Sequence, residues 1–420
     1  MLKNIFWLSI DKLVLLVGNL LISALLARYL GGEMIGLIFY GITLYTLVGT
    51  VSQWGANFTI FNFAITNKKR SEMLLESSFD FRLLVYLVVS TVFICWIFVS
   101  RGVSENSLII ASVVISGLFF GLDAYQYYFN GTLNSKYNAN SAMICKLTSM
   151  CLRVGLIAIE ANYWVFIVII FFEGLFIFLL RRKSFKSVGN YGGYSKGHRN
   201  NYIVKGLPLV FAASISMGYS KLSELVLANY VDISEYGIYA LIFSISYAWT
   251  FLPMAIGISL LNKVRGLDSL EERIQGYGVI NFVMILISLP VFFAIYQFSD
   301  VLIRNLYGEE YLSGSEYMLL LSCSALLASM NFIHNRFLVS EFDCLSKFIL
   351  IKSCILLIVG LPITYYLVTQ SKSVGAATSL LILELLSLTL INYSNRKFSV
   401  FSVHLNILFA PKNMKKVLVK

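Results

Sequence analysis

The sequence predicts an all-α integral membrane protein with about twelve transmembrane helices in two six-helix lobes related as parallel repeats. Three observations predict this: too little charge for a water-exposed surface, apolar runs of membrane-spanning length, and a match between the two halves of the chain. Of 420 residues, 58% are hydrophobic and 13% charged, and the mean hydropathy is +0.77. A soluble domain carries about a quarter charged residues, so lipid must cover much of this surface. The apolar runs continue for about 20 residues, the length a helix needs to cross hydrocarbon. A membrane β-barrel would instead alternate apolar and polar residues in shorter segments.

The expected spans are 5–28, 35–60, 79–99, 107–129, 141–159 and 163–181, then 203–228, 236–261, 276–299, 315–338, 346–369 and 374–393. The second is interrupted by Ser52, Gln53 and Asn57. The first is long, carries Asp11 and Lys12 and lacks a small-residue cleavage site, so it reads as an uncleaved span rather than a signal peptide. This gives an N-terminal lobe at 1–181, a cytoplasmic linker at 182–202, a C-terminal lobe at 203–393 and a basic tail at 394–420. The linker, rich in Gly, Lys and Tyr, reads as a tether. Within the tail, 398–410 alternates apolar and polar residues and is expected to lie on the membrane surface.

Lys and Arg fix the expected orientation, because positive residues stay on the cytoplasmic side. With the N-terminus inside, the inner segments hold Lys3, Lys68, Lys69, Arg70, Lys136, Lys263, Arg265, Arg273 and Lys347. The segment 181–205 adds Arg181, Arg182, Lys183, Lys186, Lys196, Arg199 and Lys205, and the tail adds Arg396, Lys397, Lys412, Lys415, Lys416 and Lys420. The outer loops keep only Arg28, Arg101, Arg304 and Lys372. Both termini are therefore expected in the cytoplasm. The net charge of +11 is a topology signal with headgroup contacts. No folded module is left to present it to nucleic acid.

The six cysteines lie in or beside spans, and no pair has metal-ligand spacing. No His, Cys and carboxylate cluster supports catalysis, so neither enzyme chemistry nor a metal is expected. The two halves match where Ala27-Arg28-Tyr29-Leu30-Gly31, running on to Gly36, aligns with Ala228-Asn229-Tyr230-Val231-Asp232, running on to Gly237. An even number of intervening spans makes the repeats parallel, a plan that puts a transporter site at the repeat interface.

Polar residues at membrane depth each cost at least ~2.5 kcal/mol unless they face protein or water. At helical spacing they form stripes: Lys12, Asn19 and Ser23; Ser116, Asp123, Tyr127 and Asn130; Lys146, Ser149 and Arg153; Ser214, Lys221 and Glu224; Asn331, His334 and Asn335. Such stripes suit either a hydrated cavity with cationic walls or pairing between spans. Lys221 and Glu224 can neutralise one another within a helix. Glu173 and Glu384 can pair with neighbouring spans, and Arg336 and Lys352 can snorkel to the interface.

The opening Leu8-Ser9-Ile10-Asp11-Lys12 and the Ala27–Gly36 stretch resemble the start of polysaccharide-biosynthesis flippases of the Wzx type, within the multidrug/oligosaccharidyl-lipid/polysaccharide exporter superfamily. Tyr219-Ser220-Lys221-Leu222 through Glu224, Glu235-Tyr236-Gly237-Ile238-Tyr239-Ala240, Trp249, Pro253 and Leu306-Tyr307-Gly308-Glu309-Glu310-Tyr311 are similar too. Position 32 is Gly where that family often has Pro, and position 224 is Glu where it more often has Asp. The resemblance implies alternating access in the bacterial inner membrane, with the first, second, seventh and eighth spans lining a cleft. The substrate would be an undecaprenyl-diphosphate-linked O-antigen (or related polysaccharide) repeat unit. A diphosphate needs cations, for which Lys12, Arg28, Arg153 and Lys221 are the candidates. Asp11, Asp123 and Glu224 are candidates for proton or sodium coupling, with no other cofactor. Tyr125, Tyr127, Tyr128 and Tyr219 are candidates for a sugar path. The implied partners are the lipid bilayer, a polysaccharide polymerase and chain-length proteins. Two alternatives stay open: a cation-coupled small-molecule exporter of the same superfamily, and a membrane-embedded polymerase. The sugars of the repeat unit, the coupling ion and the oligomeric state are not legible in the sequence.

Overall fold

The computed structural model describes the backbone of residues 2–188, 193–341, 345–394 and 400–419, and the side chains of these from residue 14 on, except 262, 339–347 and 415–419. Among these residues every regular element is a helix. In chain order they are α1 (Leu2–Ser52), α2 (Ala56–Thr66), α3 (Lys68–Ser77), α4 (Phe79–Arg101), α5 (Glu105–Ser116), α6 (Leu118–Leu122), α7 (Tyr125–Gly131), α8 (Lys136–Ala158), α9 (Tyr163–Val188) and α10 (Lys196–Ser220). There follow α11 (Leu222–Ala228), α12 (Ile233–Ala248), α13 (Phe251–Arg265), α14 (Leu270–Leu306), a 3-10 turn (Glu309–Gly314), α15 (Ser315–Glu341), α16 (Leu345–Leu388), α17 (Leu390–Tyr393), α18 (Val400–Leu408) and α19 (Ala410–Val419).

Ten helical stretches of the described residues are long and apolar enough to cross a membrane. Two are double. Val14–Ser52 runs 39 residues and Phe348–Tyr393 runs 46, about twice the ~20 residues that one crossing needs. The first turns back at Gly31, whose φ of 77° and ψ of 171° leave the helix in a region where Gly carries no steric cost. The second turns at Ser371 and Lys372, the latter with φ 45°. Dividing both gives the twelve crossings expected.

Helix starts follow local capping. The Ser104 side chain accepts from the Ser107 amide ahead of α5, and Ser269 accepts from the Glu272 amide (3.1 Å) ahead of α14. Each satisfies an amide that the first turn leaves open. Asn67 does the same for Arg70 (3.0 Å) at α3.

Several expected spans are interrupted rather than continuous. The second breaks at Trp54 and Gly55, both with positive φ, where Gln53 had interrupted the apolar run. The fourth is α5, α6 and α7 in succession, with breaks at Gly117 and at Asp123–Ala124. The seventh breaks at Lys221, between α10 and α11. The eighth breaks between α12 and α13 at Trp249–Thr250. The stretch 182–202, expected as a tether, is helical at both ends, continuing α9 to Val188 and starting α10 at Lys196. The tail segment 398–410 is helical from Val400.

Contacts divide the chain into two compact units. The first holds Met1–Lys221 with Ile233–Gly237, and the second holds Leu222–Asp232 with Ile238–Lys420. Helix α10 packs on α1, α2 and α3, so the α10 part of the seventh crossing groups by contact with the first unit, while α11 groups with the second. Within the first unit the two repeat glycines meet. A Cβ at Gly237 would lie 2.8 Å from the Gly36 amide nitrogen, and one at Gly36 would lie 1.9 Å from the Ile233 carbonyl. Neither position has room for any side chain.

Candidate functional site

Three of the charged candidates, Asp123, Lys221 and Glu224, lie at or beside these interruptions. Asp123 ends α6 in extended conformation (φ −75°, ψ 91°). Lys221 caps α10, and Glu224 sits in the first turn of α11. Broken helices at depth persist only where protein or a water-filled space surrounds the freed backbone, and transporters use them to build sites.

In the first unit the stripe on α8 meets a carboxylate on α9. Arg153 is 2% exposed, and its Nη1 donates to Glu173 Oε2 at 3.0 Å. Lys146 Nζ pairs with Glu173 Oε1. Ser149 Oγ donates to Oε2 at 2.9 Å. The stem of Lys146 lies over Gly18 of α1, with Cγ 3.2 Å from where a Cβ would stand. Among the described residues, two cations thus share one acid. Beside them a cavity of about 370 Å³ opens between α8 and α9, lined by Cys145, Ser149, Glu173, Phe172 and Phe176.

A second cluster surrounds the break after α6. Asp123 pairs with Arg181 of α9, and its Oδ1 accepts from the Tyr125 amide at 3.2 Å. Arg82 of α4, 1% exposed, donates to the Leu122 carbonyl (2.9 Å) and the Leu75 carbonyl (3.2 Å). It thereby satisfies oxygens that the broken helices release. Tyr127 donates to Gln53 Oε1 at 2.7 Å, which joins this break to the one in the second crossing. Tyr128 donates to Glu72 Oε1 at 2.7 Å.

In the second unit Asn331 and His334 of α15 are engaged by other helices. Asn331 Nδ2 donates to Glu384 Oε2 at 2.7 Å. Lys352 Nζ donates to Asn331 Oδ1 (3.3 Å) and Asn392 Oδ1 (3.1 Å). Asn281 Nδ2 donates to His334 Nε2 at 2.9 Å, and the His334 ring stands 4.8 Å from that of His404 on α18.

Among the residues expected to bind substrate, Arg28 is exposed near the end of the first crossing. Lys221 is half-buried at the α10–α11 break, and Arg153 is held by Glu173. Lys12 and Asp11 fall on side chains outside the described residues. Glu224 is buried, and Asp123 is engaged by Arg181. Two expectations are corrected. Lys352 does not snorkel: it is 4% exposed and tied to two other helices. Tyr125 and Tyr128 do not line an open path: they are buried against Phe178 and Phe185, with ring centroids 5.0–5.5 Å apart. Arg82 escaped the sequence reading, although a lone Arg four residues into an apolar run was its signal. Arg181 was taken for a topology charge when it is the partner of Asp123. Among the described residues, no three His, Cys, Asp or Glu side chains are grouped so as to hold a metal ion.

No protein-family model matches the chain, and no curated protein does. Solved structures do. A lipid II flippase, MurJ in an inward closed conformation, is similar with a TM-score of 0.71 and 14% identity, over 97% of this chain and 91% of that one. An inward-facing multidrug resistance MATE family transporter of the MOP superfamily is similar with a TM-score of 0.61 and 12% identity, over 99% of each chain. The Vibrio cholerae MATE transporter VcmN is similar with a TM-score of 0.60 and 12% identity, over 98% of this chain and 97% of that one. The protein therefore has the fold of these membrane transporters, over essentially its full length.

Proposed function

We propose that this protein is a flippase. It would carry an undecaprenyl-diphosphate-linked O-antigen or related polysaccharide repeat unit from the cytoplasmic to the periplasmic face of the bacterial inner membrane, by alternating access. The observation that carries the reading is the local cluster in which Lys146 and Arg153 share the acid Glu173. A fixed positive field of this kind favours an anionic lipid headgroup and opposes a cationic drug. The likeness to a lipid II flippase over 97% of this chain supports the same reading.

In this proposal Lys12, Arg28 and Lys221 contact the diphosphate directly, each as a donor of charge-assisted hydrogen bonds. Arg153, with its guanidinium engaged by Glu173, acts through its charge from the wall. Asp11, Asp123 and Glu224 are the acids proposed for proton or sodium coupling; at Asp123 a cation must displace Arg181. The likeness to MATE transporters favours a second reading, a cation-coupled exporter of small molecules. Polymerase and chain-length proteins are the partners proposed for the flippase.

The test is complementation of bacteria that lack their own O-antigen flippase and carry matching sugar genes, with surface polysaccharide read as a gel ladder. Restored laddering that is lost with Lys221→Ala or Arg28→Ala supports the reading. No laddering, with the protein in the membrane and the lipid-linked precursor retained inside, rejects it.

A further inference from the structure

Lys352 and Glu384 form a buried pair that the proposed function does not use. They answer to Lys146 and Glu173 by position, because the lysines lie on the fifth and eleventh crossings and the acids on the sixth and twelfth. The contacts differ. Lys146 touches Glu173 directly, and Arg153 adds a second contact. Among the described residues Lys352 touches two neutral amide oxygens, Asn331 Oδ1 at 3.3 Å and Asn392 Oδ1 at 3.1 Å. Asn331 in turn donates to Glu384 at 2.7 Å, so one amide side chain separates cation from anion. Lys352 is 4% exposed and Glu384 is 8% exposed.

Two physical consequences follow. Separating the charges weakens their attraction while each still bears the cost of burial. An ammonium also has three N–H donors, and only two of those of Lys352 have partners among the described residues. A neutral amine keeps two N–H donors, one for each of the same oxygens. Losing the third proton therefore breaks no hydrogen bond. At Lys146 the same loss would strip a contact ion pair of its charge.

We propose that Lys352 is a proton-binding site at membrane depth, in which the ammonium releases its unengaged proton to water and the nitrogen keeps the lone pair. Asn331 and Asn392 hold the side chain in both states. The charged group acting on it is Glu384, which favours the ammonium; His334 on α15 and its neighbour His404 on α18 are the nearby titratable rings. On α17, Tyr393 is bonded to His404. Use of this site to drive transport rests on the flippase reading, whereas proton binding does not.

The experiment is a difference titration of the full-length protein in lipid nanodiscs, first in sodium-free buffer, comparing wild type with Lys352→Met and Lys352→Arg. Wild type is expected to release about one proton per chain more than either variant below the range near pH 10 where exposed lysines titrate. The arginine variant keeps its proton throughout. Asn331→Asp, which sets a carboxylate on the ammonium, should move the release to higher pH. Equal release from wild type and both variants, all shown folded by thermal melting, overturns the proposal. Release from wild type only when sodium is added also overturns it, because the site is then a sodium site. Proton release without any flipping by wild type keeps the site and rejects the flippase reading instead.

Discussion

At the scale of single residues, the buried charges divide by whether each has a counter-charge in contact. Glu173 holds two cations, so Glu173→Gln strands both in low dielectric. Breaking a buried pair from one side typically costs about 3–5 kcal/mol, and Glu173→Gln should lower the thermal midpoint markedly in detergent. Adding Lys146→Met to it should recover part of the loss. A double variant no better than the single would show that the two groups do not interact. His404 offers a pH handle outside the crossings. Burial pushes its imidazole from the ordinary 6.5 down to about 4, so the docked tail favours the neutral ring. Docking of α18 is then complete above pH 6.5 and weakens as pH falls from 6.5 towards 4. Hydrogen-exchange protection factors across 400–408 should fall in that window for wild type and stay flat for His404→Gln.

The stripes of polar residues were legible from helical spacing, but their partners were not. Lys146, Ser149 and Arg153 do share a face, yet the acid they share lies on another helix, 20 residues beyond Arg153. Spacing along one helix carries no information about what stands opposite. Lys352 shows the limit most clearly. Its place near a helix end suggested snorkelling, while Asn392 from a short helix after the last long crossing holds it inside.

At the scale of elements, the interrupted helices matter most. Apolar runs gave the crossings, and Gly31 marked the first turn. The breaks at Asp123 and Lys221 were not legible, because a polar residue inside an apolar run is compatible with an unbroken helix. The repeat glycines gave a stronger signal, since both positions prove to be points where backbone meets backbone. Gly36→Val places a side chain within 1.9 Å of the Ile233 carbonyl. Overpacking of this kind costs typically about 1–3 kcal/mol, and folded yield and melting point should both fall. Gly155 in α8 is the control, because a Cβ there meets nothing within 4 Å. Gly155→Ala should leave the protein unchanged or stabilise it by up to about 1 kcal/mol. Equal damage from the two substitutions would remove the packing explanation.

At the scale of the whole molecule, a transporter fold carries a cluster in which two cations, Lys146 and Arg153, share the acid Glu173. Coupling belongs at this scale too. Flipping driven by an imposed ion gradient should lose its dependence on that gradient in Glu224→Gln while downhill flipping persists. Unchanged dependence would remove Glu224 from the coupling scheme. The central claim is that the substrate is an anionic lipid-linked oligosaccharide. Its most direct measurement uses proteoliposomes containing fluorescent undecaprenyl-diphosphate oligosaccharide, with outward-facing label destroyed by an impermeant reductant. Protein-dependent movement between leaflets is expected, falling at least several-fold with Arg28→Ala or Lys221→Ala. Movement no faster than in protein-free vesicles, with the protein folded and inserted, would contradict it.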